Sequence, residues 1–242
     1  MVKVLQYLST IALTAGLSIV YASCSGQEYG STKRFQDSLS YLALGDSYTI
    51  AERLDIRHSW AIQIAGLVRA EGIPLKNPDI LARTGWRTDQ LLEALRSMLD
   101  TATTLPCQYD VVSLLIGVNN QYQGGTLERF RSEYVALLHI AITLTQGNPS
   151  RVLALSIPDY SVTPFAQNLN RQAIAQDIDR FNAVQREECS KLRVPFVDIT
   201  SLSRAFVHQP FPWVSDGLHP SPEQYAAWAR AALPTMLQAL RP

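Results

Sequence analysis

Two kinds of apolar pattern alternate along the chain. Short continuous apolar runs have the length of buried strands, and the segments after them carry apolar residues at helical spacing. The predicted strands are residues 41–44, 79–82, 109–116, 151–157 and 194–199. The predicted helices are residues 60–68, 89–99, 127–144, 170–192 and 222–240.

Polar residues at the starts of several of these segments support the helix assignments. Ser59 and Thr88 are placed to cap the first two helices, and Gly72 ends the first. Ser221 followed three residues later by Gln224 is a capping-box pattern before the last helix. The boundaries are therefore predicted as well as the elements.

Strands that alternate with helices build a parallel sheet with helices on both faces. The run 109–116 is apolar throughout, which is typical of a strand buried on both sides. No repeat or second domain is evident, so we predict one α/β domain over residues 39–242. In such a fold, ligands bind at the carboxyl edge of the sheet.

The first 23 residues form a different kind of segment. Lys3 precedes an apolar stretch over residues 4–22, and small residues lead into Cys24. This is the pattern of a secretory signal peptide. The segment also resembles a bacterial lipoprotein processing site, although Tyr21 stands where an aliphatic residue is preferred. We therefore expect export to the bacterial cell envelope with Cys24 lipidated, and residues 24–38 as a flexible tether.

Charge and cysteine usage exclude some classes of function. The 21 basic residues balance 21 acidic ones without a basic run, so a nucleic-acid partner is not expected. Cys24, Cys107 and Cys189 lie far apart and lack the spacing of metal ligands. If Cys24 carries lipid, Cys107 and Cys189 remain either to pair or to stay as buried free thiols, and the second interpretation is preferred.

The candidate chemistry begins at the end of the first predicted strand. Residues 41–44 run into the turn Gly45-Asp46-Ser47-Tyr48, which presents a serine hydroxyl at the carboxyl edge of the sheet. Asp216 and His219 lie three residues apart just before the last helix. A histidine base oriented by a carboxylate is what a serine needs to act as a nucleophile. Asp46 is the alternative acid, although its carboxylate is placed to bond nearby backbone N–H groups.

Donors for an oxyanion are predicted at other strand ends. Gly85 follows the second strand and offers a backbone N–H, and Asn119 follows the third and offers a side-chain amide. The N–H of Ser47 is a third donor. Asn120 is a rival to Asn119 that physical reasoning does not exclude.

These positions resemble the serine, glycine, asparagine and histidine blocks of the SGNH hydrolases, also called GDSL esterases and lipases. The blocks are Gly45-Asp46-Ser47, Gly85, Gly117-x-Asn119 and Asp216-x-x-His219, in the family's order. Tyr48 stands where the family usually has leucine, and that position is not catalytic in the family. The resemblance implies a flavodoxin-like three-layer α/β/α sandwich with a five-stranded parallel sheet. It also implies ester hydrolysis without a metal or cofactor. Of the two adjacent asparagines, the resemblance indicates Asn119 as the oxyanion donor.

The expected activity is therefore that of a serine esterase acting on acyl or lipid-type esters. The alternatives are a carbohydrate esterase that deacetylates sugars or polysaccharides and, less favoured, a non-catalytic binding protein. Tyr48, Trp86, Tyr122 and Asp159 follow strand ends and are predicted to line the substrate pocket, although Asp159 can equally cap a turn. Further aromatic candidates for the pocket are Tyr160, Phe165 and Trp213.

Overall fold

A computed structural model of the protein describes residues 38–101 and 108–241. Its five strands form one parallel sheet in the order β2-β1-β3-β4-β5. The strands are β1 (Tyr41–Gly45), β2 (Asp79–Ala82), β3 (Val111–Leu115), β4 (Val152–Leu155) and β5 (Phe196–Val197). In the central pair, Ala43 lies beside Ser113 and Gly45 beside Leu115. The carboxyl ends of β1 and β3 therefore meet at one edge.

In the described part of the chain, seven α-helices connect and cover the strands. They are α1 (Trp60–Ala70), α2 (Thr88–Thr101), α3 (Val118–Tyr122), α4 (Leu127–Leu144), α5 (Arg171–Leu192), α6 (Thr200–Phe206) and α7 (Pro222–Leu240). Helices α1 and α7 pack against each other, while α4 packs against both α2 and α5. The three layers predicted from the sequence are confirmed, with the sheet between two layers of helices.

The central strands are buried because both faces of the sheet are covered. Every residue of β1, β3 and β4 is buried. Such strands contribute apolar area from both sides, at roughly 25 cal/mol per Å² removed from water. Helix α4 adds a buried face that includes Phe130, Tyr134 and Leu138. This core holds the carboxyl edge of the sheet rigid.

Two helix caps form as predicted and one does not. The hydroxyl of Ser59 accepts a hydrogen bond from the N–H of Ala61, and that of Ser221 accepts one from Gln224. Thr88 is instead the first residue of α2, and its N–H donates to the side-chain oxygen of Asn120 at 3.0 Å. The prediction that Thr88 caps α2 is therefore wrong, because a residue from a different element supplies the cap.

Some expectations concern residues that the structure does not describe. The signal segment 1–23, Cys24 and most of the tether lie outside the described residues, as does Cys107. Cys189 is a buried free thiol whose sulfur lies 3.7 Å from the hydroxyl of Tyr134. Within residues 38–101 and 108–241, no helix has the length and apolarity needed to cross a membrane.

Candidate active site

Ser47 lies on a tight turn directly after β1. The carbonyl of Asp46 accepts a hydrogen bond from the N–H of Thr49 at 3.0 Å, and the carbonyl of Ser47 accepts one from Glu52 at 3.1 Å. The turn folds so closely against the end of β3 that a Cβ on Gly45 would lie 2.6 Å from the carbonyl oxygen of Leu115. A side chain cannot fit there, so the glycine allows the turn. Ser47 itself is only 6% exposed.

Asp216 and His219 form a hydrogen-bonded pair on the loop before α7. The Nδ1 atom of His219 lies 2.7 Å from Oδ2 of Asp216. The other carboxylate oxygen accepts the backbone N–H groups of Leu218 at 2.8 Å and His219 at 3.0 Å. Burial opposes ionisation of Asp216, but these hydrogen bonds outweigh it and lower the pKa of the carboxyl below its usual value. An ionised carboxylate therefore orients the imidazole.

The imidazole of His219 lies beside the serine turn. Its ring centroid is 5.5 Å from that of Tyr48, the residue next to Ser47. Within the described residues, Ser47 Oγ and His219 Nε2 are not joined by a hydrogen bond. Contacts of this kind often tighten only when substrate binds. The structure thus brings the three predicted residues to one edge of the sheet, with the Asp216–His219 bond formed.

Asp46, the alternative acid, serves the turn. Its Oδ1 atom accepts the backbone N–H of Tyr48 at 3.0 Å, and the residue is almost completely buried. Burial outweighs the hydrogen bonds from the backbone and raises the pKa of Asp46 to about 7. Of these two aspartates, only Asp216 is hydrogen-bonded to the histidine ring, so the geometry favours it as the acid.

Asn119 and the turn that contains Gly85 face each other across the sheet edge. Gly85 has a φ of 79°, in the left-handed region that favours glycine, and open space lies around the position of a Cβ. The Nδ2 atom of Asn119, in α3, donates to the carbonyl oxygen of Trp86 at 3.0 Å. A side-chain amide has two N–H groups. One holds the Gly85–Trp86 turn, and the second remains as a donor.

Asn120 has a separate role that the sequence did not reveal. Its side-chain oxygen accepts the N–H of Thr88 at 3.0 Å, and its Nδ2 lies 2.6 Å from the hydroxyl of Thr88. The residue is buried, whereas Asn119 is partly exposed. Asn120 therefore fixes the start of α2, and Asn119 is the asparagine available to a ligand.

Two further contacts hold the Gly85 turn in place. The hydroxyl of Thr84 donates to the carboxylate of Glu52, which belongs to the serine turn. Gln123, at the end of α3, donates from Nε2 to the carbonyl of Gly85 at 3.3 Å. The contacts of Glu52, Thr84 and Gln123 could not be predicted from the sequence, because no motif or periodicity marks contacts between separate loops.

Two of the predicted pocket residues do not face open space. The ring of Tyr48 is 4% exposed, because it packs between His219 and Trp228. The side chain of Asp159 has no exposed area; it accepts the N–H of Ser161 and pairs with Arg204 at 2.7 Å. The expectation that these two line the pocket is therefore corrected, and Asp159 caps a turn, as the alternative interpretation held.

Tyr122 belongs to a group of aromatic rings beside the site. It is 54% exposed, and its ring centroid lies 5.9 Å from those of Tyr160 and Phe165. Tyr122 is in the same short helix as Asn119, and the N–H of Phe165 donates to the carbonyl of Gly217 at 3.0 Å. We call these three residues the aromatic trio. It lies between the asparagine helix and the loop that carries Asp216 and His219.

The described residues offer no metal site. Across residues 38–101 and 108–241, no three His, Cys, Asp or Glu side chains come together in a way that could hold a metal ion.

Solved structures share this architecture. TesA has a TM-score of 0.65 at 17% identity, covering 83% of this chain and 99% of TesA. A catalytic mutant of Axe2, an acetylxylan esterase from Geobacillus stearothermophilus, has a TM-score of 0.62 at 18% identity, covering 84% and 97%. A lipase/acylhydrolase from Enterococcus faecalis has a TM-score of 0.61 at 18% identity, covering 84% and 98%. At these identities the likeness establishes the fold. No curated protein matches the sequence significantly.

The fold and the serine, histidine and aspartate at its carboxyl edge define a serine hydrolase with a three-layer α/β/α architecture. The model of the GDSL-like lipase/acylhydrolase family matches residues 43–227, which include every candidate catalytic residue. The chain belongs to this family. It is an ester-hydrolysing serine hydrolase, as the resemblance of the four sequence blocks implied.

Proposed function

We propose that the protein cleaves carboxylic esters through an acyl intermediate on Ser47. The observation that carries this is the Asp216–His219 pair, 2.7 Å apart, whose imidazole packs against the residue next to Ser47. With Nδ1 of His219 donating to Asp216, Nε2 is free to accept a proton. A serine hydroxyl requires such a base before it can attack a carbonyl.

The first half of the reaction acylates the serine. Nε2 of His219 takes the proton of Ser47 as its Oγ forms a bond to the ester carbonyl carbon. The carbonyl oxygen becomes an oxyanion, which accepts N–H groups from the backbone of Ser47 and Gly85 and from the side chain of Asn119. When the tetrahedral intermediate collapses, the C–O bond to the alcohol breaks, and the leaving oxygen takes the proton from His219.

The second half releases the acid. Water gives a proton to His219 as its oxygen attacks the acyl carbon, and the same donors hold the second oxyanion. Collapse breaks the bond to Ser47, whose oxygen recovers the proton. Asp216 stabilises the imidazolium in both halves without itself taking a proton. The lowered pKa of Asp216 supports this role, because the carboxyl stays ionised at neutral pH.

For the substrate, we favour esters with an apolar acyl group. The rings of the aromatic trio meet at angles between 54° and 79°, and Tyr122 and Phe165 are exposed, so together they form an apolar wall without one flat face. A flat platform for a sugar ring would instead expose one broad ring face. Aromatic rings pack well against acyl chains at such a wall. The carbohydrate-esterase alternative rests on the fact that aromatic residues also stack on sugars.

A panel of substrates tests this proposal. Aryl esters of increasing acyl length and acetylated sugars would be compared with the purified protein, with Ser47→Ala as the control. We expect aryl-ester hydrolysis that Ser47→Ala abolishes while its circular dichroism stays unchanged. Full activity of Ser47→Ala would refute the mechanism. A sharp acetyl preference together with sugar deacetylation would favour the carbohydrate alternative.

Location is part of the proposal. The signal-like segment 1–23 and Cys24 support export to the cell envelope with a lipid anchor. The substrates would then be envelope or external esters. We expect Cys24→Ala to move the protein from the membrane fraction to the soluble fraction. A variant that stays membrane-bound would refute the lipid anchor without affecting the esterase proposal.

A further inference from the structure

Tyr48 is the one departure from the GDSL pattern in the serine block, and its ring has a defined place. The side chain is 4% exposed, less than that of Ser47 or His219. The centroid of its ring lies 5.5 Å from that of the His219 imidazole, with the planes at 58°. The ring also packs edge-on against Trp228, with centroids 5.9 Å apart. Tyr48 therefore contacts both the histidine and helix α7.

The support behind Tyr48 is rigid. Trp228 is completely buried, and it packs edge-on against Tyr225, also completely buried, at a centroid distance of 5.2 Å. Both are in α7, which packs tightly against α1. Because Trp228 and Tyr225 are buried and packed together, the ring of Tyr48 has little room to move away from the histidine. The imidazole is thus confined by the core as well as by its own loop.

The contact matters because the loop around His219 contains little regular structure. Residues 207–221 form turns and bends with one isolated bridge, between Trp213 and Pro220. The hydrogen bond to Asp216 fixes the ring relative to its own loop, but not relative to the serine turn. The contact with Tyr48, the residue after Ser47, supplies that second constraint. It keeps Nε2 directed toward the serine turn.

We infer that Tyr48 is a positioning residue for the reaction: its ring holds the imidazole of His219 in the orientation that deprotonates Ser47. A leucine at this position would not provide the extended ring surface that contacts the imidazole. The inference rests on the proposed triad mechanism.

Two substitutions at Tyr48 separate the effect of the ring from that of the hydroxyl. Tyr48→Phe keeps the ring contact, and we expect kcat within about threefold of the unchanged protein. Tyr48→Leu removes the ring, and we expect kcat to fall roughly tenfold to a hundredfold, as for a misplaced catalytic group. KM should stay unchanged in both, because the ring is almost completely buried. Steady-state kinetics with a short-chain aryl ester measure both constants.

A buried tyrosine elsewhere controls for loss of packing. Tyr134 is completely buried in α4, far along the chain from the triad, with its hydroxyl near Cys189. Tyr134→Leu should lower the thermal midpoint, yet its folded fraction should keep the kcat of the unchanged protein. If Tyr48→Leu does not fold, Tyr48→Met, whose unbranched side chain adapts better to an irregular space, replaces it under the same criteria.

The outcomes distinguish this inference from the proposed function. If Ser47→Ala retains full activity, the triad mechanism itself fails. If activity depends on Ser47 but Tyr48→Leu keeps kcat, the positioning role alone is refuted. An equal loss in Tyr48→Phe and Tyr48→Leu would also refute it, because the ring would then not be the active feature. A rise in KM without a change in kcat would place Tyr48 in substrate binding instead.

Discussion

Asn119 donates a hydrogen bond from its side-chain amide to the carbonyl oxygen of Trp86 at 3.0 Å. The bond joins two elements that follow different strands, α3 after β3 and the Gly85 turn after β2. Two of the three proposed oxyanion donors are therefore positioned relative to each other before substrate binds. Such preorganisation is a main source of catalytic power, because the donors need not reorient during the reaction.

Adjacent asparagines give a matched pair of predictions. Asn119→Ala removes an oxyanion donor together with the hydrogen bond to Trp86, and we expect kcat to fall roughly a hundredfold to a thousandfold, with a smaller fall in thermal midpoint than for Asn120→Ala. Asn120→Ala leaves the N–H of Thr88 without its partner, and we expect mainly a loss of stability, on the order of 1–3 kcal/mol. Kinetics and thermal unfolding of both variants check this. A loss of stability in Asn119→Ala and a loss of kcat in Asn120→Ala would contradict the assignment of Asn119 as the oxyanion donor.

Replacement of the triad acid tests the orientation of the histidine. Asp216→Asn keeps the size of the side chain but removes its charge, so it no longer selects the productive tautomer of His219 or stabilises the imidazolium. We expect kcat to fall by a factor on the order of a thousand to ten thousand. The parallel variant Asp46→Asn should lose far less activity. Comparable losses in both would contradict the assignment of Asp216 as the acid.

Asp46 makes stability depend on pH. Burial raises its pKa from 3.8 to about 7, so between these values the folded protein holds a proton that the unfolded chain releases. Its contribution to stability is therefore lost as the pH rises from about 4 to about 7. Asparagine does not ionise, yet it still accepts the N–H of Tyr48. Across this range we expect the free energy of unfolding of Asp46→Asn to rise relative to that of the unchanged protein. The rise should be on the order of 1.4 kcal/mol for each unit of pH.

Urea unfolding of both proteins at several pH values between about 5 and 8 measures this difference. Two stability curves that run parallel across this range would show that Asp46 does not hold a proton in the folded state.

The aromatic trio predicts a selective effect on acyl length. Tyr122→Ala removes the most exposed ring of the wall. We expect kcat/KM to fall for longer acyl chains, roughly tenfold for a ring that contributes on the order of 1.5 kcal/mol, and to change little for acetyl esters. Tyr122→Phe should behave like the unchanged protein. An equal loss on all chain lengths would show that the ring does not contact the acyl group.

Much of the fold could be predicted because its signals are local. Strand β2 and helices α4 and α7 have the predicted bounds, since apolar periodicity and caps mark them directly. The predicted strand 194–199 shrinks to Phe196–Val197, and α6 was not predicted at all. Both lie at the edge of the sheet, where contacts with other elements decide the backbone more than local pattern does.

The candidate site, like the fold, has some residues that the sequence marks directly and others that it does not. Ser47, Asp216 and His219 are marked by residue type and position, and the Asp216–His219 bond follows from their short spacing. The roles of Asn120 and Asp159 depend on partners about 30 and 45 residues away, Thr88 and Arg204. Neither Thr88 nor Arg204 lies in a sequence motif that would indicate this contact. The burial of Tyr48 likewise depends on contact with α7, the last helix in the sequence.

The direction of β1 separates the start of the described domain from its catalytic opening. Ser38 lies before β1 and Ser47 after it, so a five-residue strand, about 16 Å long, lies between them. Anything attached to the chain before Ser38 therefore joins the domain at the end of the sheet remote from the nucleophile. A fusion partner or surface linkage placed there would leave the opening accessible to substrate.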